Sequence, residues 1–297
     1  MRKTVSRHSI PPASLVLPFW TFLCLASCRH GDAVEASRVA DTSAHATYPR
    51  PTAGAVDSAA TRKVDAATVL SRRAVPILCY HQVREWKATD SRSVRELVIP
   101  PDRFRSHMKA LADSGYRTIL PDQLLGYLTR GDSLPGKPVM VTFDDGSAGQ
   151  YHFAMKELER YGFRGVFYIM TISIDRPGYM TQGELKDLSD RGHVIASHSW
   201  NHKNVQRHDS SDWRTQLEDS KQRLERITGR PVDHFAYPYG LWDGRTVEGL
   251  RKAGYRTAVI LSTKRDSTEP LFTIRRVMVP GDWSGGEVLA AMRRGFR

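Results

Sequence analysis

The sequence predicts an α/β fold, a distorted or incomplete (β/α) barrel of about seven parallel strands that forms a single domain. Two observations carry this. From residue 73 to the C-terminus, short β-branched runs alternate with longer amphipathic stretches. Strands separated by helices pair in parallel, and seven or eight such units close, or nearly close, on themselves. In addition, the helix-like stretches end on Gly115, Gly162, Gly192, Gly229 and Gly254, as helices stopped by a left-handed residue do.

Taken in order, the strand Val75–Tyr80 precedes a helix over Asp102–Asp113, and Tyr116–Leu120 precedes Pro121–Thr129. Pro138–Phe143, apolar from Val139 onward, is followed by a helix over Ala148–Tyr161. Gly165–Met170 leads to Gln182–Arg191, and His193–Ser197 to Asp212–Thr228, where Trp213, Leu217, Leu224 and Ile227 recur at helical spacing. His234–Tyr237 leads to Asp243–Ala253, and the strands Tyr255–Leu261 and Ile274–Val279 come before a last helix, Gly286–Arg294. In a barrel of this kind functional groups collect where strands end and the next loops begin.

The first 28 residues read differently. Arg2, Lys3 and Arg7 precede an apolar run, Ala13 to Ala26, that is too short to span a bilayer comfortably and has the form of an export signal. Leu25-Ala26-Ser27-Cys28 resembles the lipobox of bacterial lipoproteins, so Cys28 is expected to carry a lipid anchored in a membrane; an ordinary signal peptide with a chance cysteine is the alternative. Residues 29–72, rich in Ala, Ser, Thr, Asp and Arg, read as a flexible tether, and 73–297 as the catalytic domain. Cys79 is then the domain's one cysteine, and no intramolecular disulfide is expected. The net charge of +12 suits anionic envelope polymers or lipid headgroups. No helix concentrates that charge, and nucleic acid is not an expected partner.

Four strand ends carry chemistry. Val139-Met140-Val141-Thr142-Phe143 ends in Asp144-Asp145-Gly146, two carboxylates before a sharp turn, which can divide into a metal ligand and a group acting on a proton. By itself this triplet is more often a surface turn. Val194-Ile195-Ala196 ends in Ser197-His198-Ser199-Trp200-Asn201-His202, two histidines four apart that suit one ion. Both patterns fall at the same end of the barrel, where one carboxylate and two histidines leave positions open for water and substrate. The other two ends are Phe235-Ala236-Tyr237-Pro238-Tyr239-Gly240 and Cys79-Tyr80-His81, each readable as packed structure.

Thr142-Phe143-Asp144-Asp145-Gly146 and His198-Ser199-Trp200-Asn201-His202 resemble the first two motifs of the NodB-homology polysaccharide deacetylases, carbohydrate esterase family four, over roughly residues 74 to 280. The resemblance implies Asp144 as general base and Asp145, His198 and His202 as ligands of a divalent metal, usually zinc. Many members take their acid from a Leu-x-His motif near the C-terminus, but no histidine follows Gly281. The order instead resembles the permuted poly-N-acetylglucosamine deacetylases, which implies His81 as the acid and the Tyr239 N–H as an oxyanion donor. In one respect the chain departs from the pattern. The Arg that many relatives aim at the base is replaced by Ala236, leaving Arg275 or Arg276 to act from another direction.

The expected function is therefore metal-dependent removal of N-acetyl groups from an extracytoplasmic polysaccharide, poly-N-acetylglucosamine first, at the bacterial cell envelope (outer membrane or cell surface). Peptidoglycan N-acetylglucosamine and chitin oligomers are the alternative substrates, and a lipid-anchored polysaccharide-binding protein without turnover is the alternative class. Trp200, between the two histidines, is the expected sugar-stacking ring. His152, His193, His208 and His234 lie outside these motifs and are assigned no chemistry.

Overall fold

A computed structural model describes residues 65–261 and 264–296. The expected export segment, Cys28 and the tether up to residue 64 lie outside these residues. The strands are β1 (Ile77–Tyr80), β2 (Gln82–Val83), β3 (Val98–Ile99), β4 (Arg117–Thr118), β5 (Pro138–Asp145), β6 (Gly165–Ile169), β7 (Val194–Ser197), β8 (His234–Ala236), β9 (Thr257–Ile260), β10 (Ile274–Arg275) and β11 (Val277–Met278).

The main sheet runs β10-β9-β8-β7-β6-β5-β1-β11, with β4 beside the start of β5, and all its pairs are parallel. β10 and β11 are two pieces of one extended run. Ile274–Arg275 pairs with β9 and Val277–Met278 with β1, so residues 274–278 draw the two edges of the sheet together into a nearly closed barrel. Counted once, that run makes seven strands around the ring, in agreement with the sequence.

Alternation along each strand sorts the core. Ile77, Met140, Val166, Tyr168, Ala196, Ala236, Val259 and Ile274 fall in one buried cluster, the barrel interior. Their neighbours Leu78, Val139, Val141, Phe143, Phe167 and Ile195 fall in the other, between strands and surrounding helices. Phe143 stacks on Phe167 with centroids 4.8 Å apart, and Tyr80 lies against both Phe143 and Phe104.

The interior cluster continues into Val69, Leu124 and Leu128. Val69 belongs to a helix, Ala66–Ser71, capped by the Asp65 carboxylate, which accepts from the N–H groups of Ala67 and Thr68. The tether expected to reach residue 72 therefore gives way to folded structure at Asp65. Val69 is that helix's one buried side chain, so it leaves no periodicity to read. The helix Arg92–Leu97 and the β2-β3 ribbon were likewise not anticipated, because two-residue strands show no alternation. Two expected helices contain wider turns, Gln150–Met155 and Arg214–Asp219, of the kind made by one inserted residue. Among the described residues no helix is long and apolar enough to cross a membrane.

Candidate active site

At the end of β5, Asp144 continues the inward parity of Met140 and Thr142 and is 1% exposed. Asp145 would face the other way in a straight strand. Its φ of 76°, followed by Gly146 at 83°, turns the chain so that both carboxylates face His198. His198 Nε2 lies 3.9 Å from Asp144 Oδ2 and 3.6 Å from Asp145 Oδ1.

His198 follows β7 directly. Its Nδ1 lies 2.7 Å from the Ala236 carbonyl at the end of β8. A carbonyl only accepts, so Nδ1 carries a hydrogen, and in the neutral ring the lone pair is on Nε2. His202 Nε2 lies 3.7 Å from Asp145 Oδ1, and the His202 N–H donates to Ser199 Oγ at 3.1 Å. The ligand atoms of Asp145, His198 and His202 all lie within 4.8 Å of one another. Two imidazoles and a carboxylate fit a divalent cation with positions left open, and a carbonyl on the second ring nitrogen is the usual support of a ligating histidine. Six non-glycine residues among those described have positive φ, and four of them, Asp145, Ser199, His202 and Tyr239, are here. Such strain is concentrated where geometry matters for function.

Asp144 is clamped from across the barrel. Arg276, at the junction of β10 and β11, places Nη1 2.6 Å from Oδ1 and Nη2 2.7 Å from Oδ2. Nη1 also lies 3.1 Å from Thr142 Oγ1, which donates to the Leu78 carbonyl. Burial pushes the Asp144 carboxyl up, but Arg276 and His198 outweigh it and hold it well below the usual carboxylate range. Of the two arginines considered for the place left by Ala236, Arg276 takes it. Arg275 points the other way, its guanidinium 4.4 Å from the Phe296 ring.

His81 leaves β1 beside the same carboxylate, and the ligand atoms of Cys79, His81 and Asp144 lie within 4.8 Å of one another. Burial pushes the imidazole of His81 down, against the pull of Asp144 and Asp145. Sequence reasoning missed Gln150, whose buried Nε2 donates to the carbonyls of both His81 (2.7 Å) and Asp144 (2.6 Å) and so ties β1 to β5. It missed Cys79 too, whose thiol donates to Asp144 Oδ2 at 3.5 Å. The signal for Cys79 was strand parity with Ile77. For Gln150 there was none, since a wide helical turn sets its direction.

Tyr239 is 61% exposed, with its ring edge-on to His202 at 4.6 Å. Trp200, expected as the stacking ring, lies instead with the Arg223 guanidinium over its face at 5.6 Å. Alternate residues after a strand end do not share a direction once the backbone turns left-handed at Ser199. His193 and His234 are structural: the first accepts from the Gly165 N–H, and the second pairs with Thr257.

Residues 131–258 match the polysaccharide deacetylase family. The chain carries a polysaccharide deacetylase domain. It is thus a hydrolase of N-acetyl amide bonds in polysaccharides. The Bacillus subtilis protein YxkH, named as a polysaccharide deacetylase, is 27% identical over 212 residues, 71% of this chain and 73% of that one. The poly-beta-1,6-N-acetyl-D-glucosamine N-deacetylase of Staphylococcus aureus is 22% identical over 209 residues, 63% of this chain and 72% of that one. Among solved structures, the Streptococcus pyogenes deacetylase PplD in complex with acetate superposes with a TM-score of 0.68 at 21% identity. It covers 74% of this chain and 99% of its own, a likeness of fold.

Proposed function

We propose that this deacetylase acts with a divalent metal ion, zinc in this reading, and that its substrate is poly-N-acetylglucosamine. The observation that carries the metal is the ligand trio of Asp145, His198 and His202 beside a carboxylate that a buried arginine keeps ionised. When bound there, the ion supplies Lewis acidity, making a water more acidic and an acetyl carbonyl more electrophilic.

The chain's own groups do the rest. Asp144 removes the proton of the attacking water, since Arg276 holds it in its basic form. The Tyr239 N–H donates to the oxygen on which negative charge develops. His81, beside Asp144, would protonate the departing amine when it carries the proton that Asp144 takes from the water and passes on. The one feature that favoured a binding protein without turnover was the missing arginine at Ala236, and Arg276 answers it.

The choice of poly-N-acetylglucosamine is supported by the order of the motifs, with His81 ahead of the Asp pair, and by the similarity to the staphylococcal enzyme. The apolar segment ending at Cys28 supports export and a lipid anchor at the cell envelope. The deciding experiment is acetate release by the zinc-loaded protein from β-1,6-N-acetylglucosamine, β-1,4-N-acetylglucosamine and peptidoglycan fragments. Fastest release from the first is expected. Faster release from another polymer would replace the substrate, and none from any polymer, with one ion bound per chain, would replace the enzyme by a binder.

A further inference from the structure

His81 and Asp144 sit at the ends of neighbouring strands, but the barrel holds only one of them. Asp144 lies within β5, in register with Tyr168 of β6. β1 ends at Tyr80, and at Gln82 the chain joins a second, two-stranded sheet, so His81 is the single residue between two sheets and is paired in neither. Its place relative to Asp144 must come from another contact.

Gln150 supplies that contact. Its buried Nε2 donates to the His81 carbonyl at 2.7 Å and to the Asp144 carbonyl at 2.6 Å, using both of its hydrogens. Carbonyls only accept, which fixes the end of the amide that faces them. Oε1, at the other end, is buried without a partner. An apolar side chain of equal size would fill the space without stranding a polar atom, so packing alone does not account for an amide here. The surroundings hold it close. A Cβ on Gly149 would lie 2.0 Å from the Val83 carbonyl oxygen, so the start of the helix presses on the chain leaving His81, and Ser147 Oγ adds a longer bond to the His81 carbonyl at 3.4 Å.

Hydrolysis adds water across the C–N bond: the hydroxyl goes to the acetyl carbon, and the remaining proton reaches the nitrogen as the bond breaks. That proton passes from Asp144 to His81 and then to the amine, a handover that depends on the separation of the two residues. We propose that Gln150 is a positioning residue of the reaction, setting the backbone of His81 against that of Asp144 so that the acid can take the proton from the base. The proposal rests on His81 as the acid, and Gln150, fully buried, acts only through the two residues it holds.

The test compares the full chain with its Gln150→Met, His81→Ala and double variants, all loaded with zinc, on a β-1,6-N-acetylglucosamine pentamer and on 4-nitrophenyl acetate. An amine must be protonated to leave, whereas nitrophenolate leaves without a proton, so only the pentamer needs the handover. Methionine matches glutamine in length and has no donor. On the pentamer kcat is expected to fall about 10²-fold with KM within about twofold, while chelator-sensitive hydrolysis of the ester stays within about threefold. In the His81→Ala background the same substitution should cost less than about threefold, because the two residues act as one unit. An unchanged kcat in Gln150→Met, equal losses on amide and ester, or the same further loss on top of His81→Ala overturns the positioning role. If the ester is not turned over by the wild type, the comparison with His81→Ala decides alone. Full turnover of the amide by His81→Ala would instead remove the acid, and Gln150 with it. If the wild type acts on a β-1,4 pentamer or a peptidoglycan fragment and ignores the β-1,6 pentamer, the substrate named above falls, and the four proteins are compared on the polymer that is turned over. Should Gln150→Met fail to bind one zinc ion per chain, Gln150→Glu takes its place: between two carbonyls its carboxyl stays protonated and donates to one of them, so a smaller loss, again confined to the amide, is expected.

Discussion

Arg276 and Asp144, 132 residues apart in sequence, form a two-pronged ion pair at 2.6 and 2.7 Å inside the barrel. Both side chains are almost completely buried. A charge in such a place cannot be left alone, and the run from β10 to β11 that closes the barrel is also the run that delivers its partner.

Removing one partner should therefore cost both fold and activity. Arg276→Met is expected to lower stability by about 3–5 kcal/mol in denaturant titration, because Asp144 loses its countercharge. Arg276→Lys keeps a charge but not the fork, and should restore stability only in part. Full stability in Arg276→Met would show that the pair does not hold the barrel.

Asp144→Asn tests the base. The amide fills the same space but leaves the buried Arg276 without its countercharge, so stability should fall as well; in the folded protein acetate release should fall by about 10²–10⁴-fold while one metal ion is still bound per chain. Measured together by acetate assay and elemental analysis, the two numbers separate loss of the base from loss of the metal. Wild-type turnover in this variant removes Asp144 from the mechanism.

Metal withdrawal should be reversible. A chelator is expected to abolish acetate release, and zinc added back to restore it. At a free zinc concentration about one hundred times its dissociation constant, binding stabilises the fold by about 2.7 kcal/mol, seen as a rise in melting temperature. His202→Ala should lose that rise. If the variant keeps it, the ion sits elsewhere.

The helix Ala66–Ser71 should matter to stability although it precedes the catalytic region read from the sequence. Val69 is fully buried, and Val69→Ala is expected to cost about 2 kcal/mol. A chain starting at Arg73 should melt below one starting at Asp65. Equal melting temperatures would make residues 65–72 a tether after all.

His107 gives a pH dependence away from the metal. Its Nε2 donates to the Trp283 carbonyl at 2.7 Å, and its Nδ1 accepts from the Tyr80 hydroxyl at 3.2 Å, so the ring is neutral when folded. Burial lowers its pKa below the ordinary 6.5, despite the opposing Trp283 bond. The unfolded chain therefore takes up the proton first, and the His107 contribution is present above about pH 6.5 and lost as pH falls below it. His107→Gln keeps a donor and an acceptor, and should flatten the stability slope between pH 6.5 and 5 by up to about 1.4 kcal/mol per pH unit. An unchanged slope would mean that His107 does not titrate on unfolding.

The sequence by itself determined the ring of parallel strands and the end at which its chemistry sits. Both follow from local signals: alternation of apolar runs with helical stretches, and polar residues just after strand ends. Asp144, Asp145, His198 and His202 were legible for that reason, since each lies within a few residues of the strand that aims it. Tertiary structure decided what depends on contacts between distant segments or on a backbone turn. Arg276 was distinguished from Arg275 only by which face of a closing strand reaches Asp144. Gln150 is turned inward by a widened helical turn, and Trp200 has the Arg223 guanidinium over its face. No spacing rule contains such facts, because a buried polar atom is defined by everything packed around it.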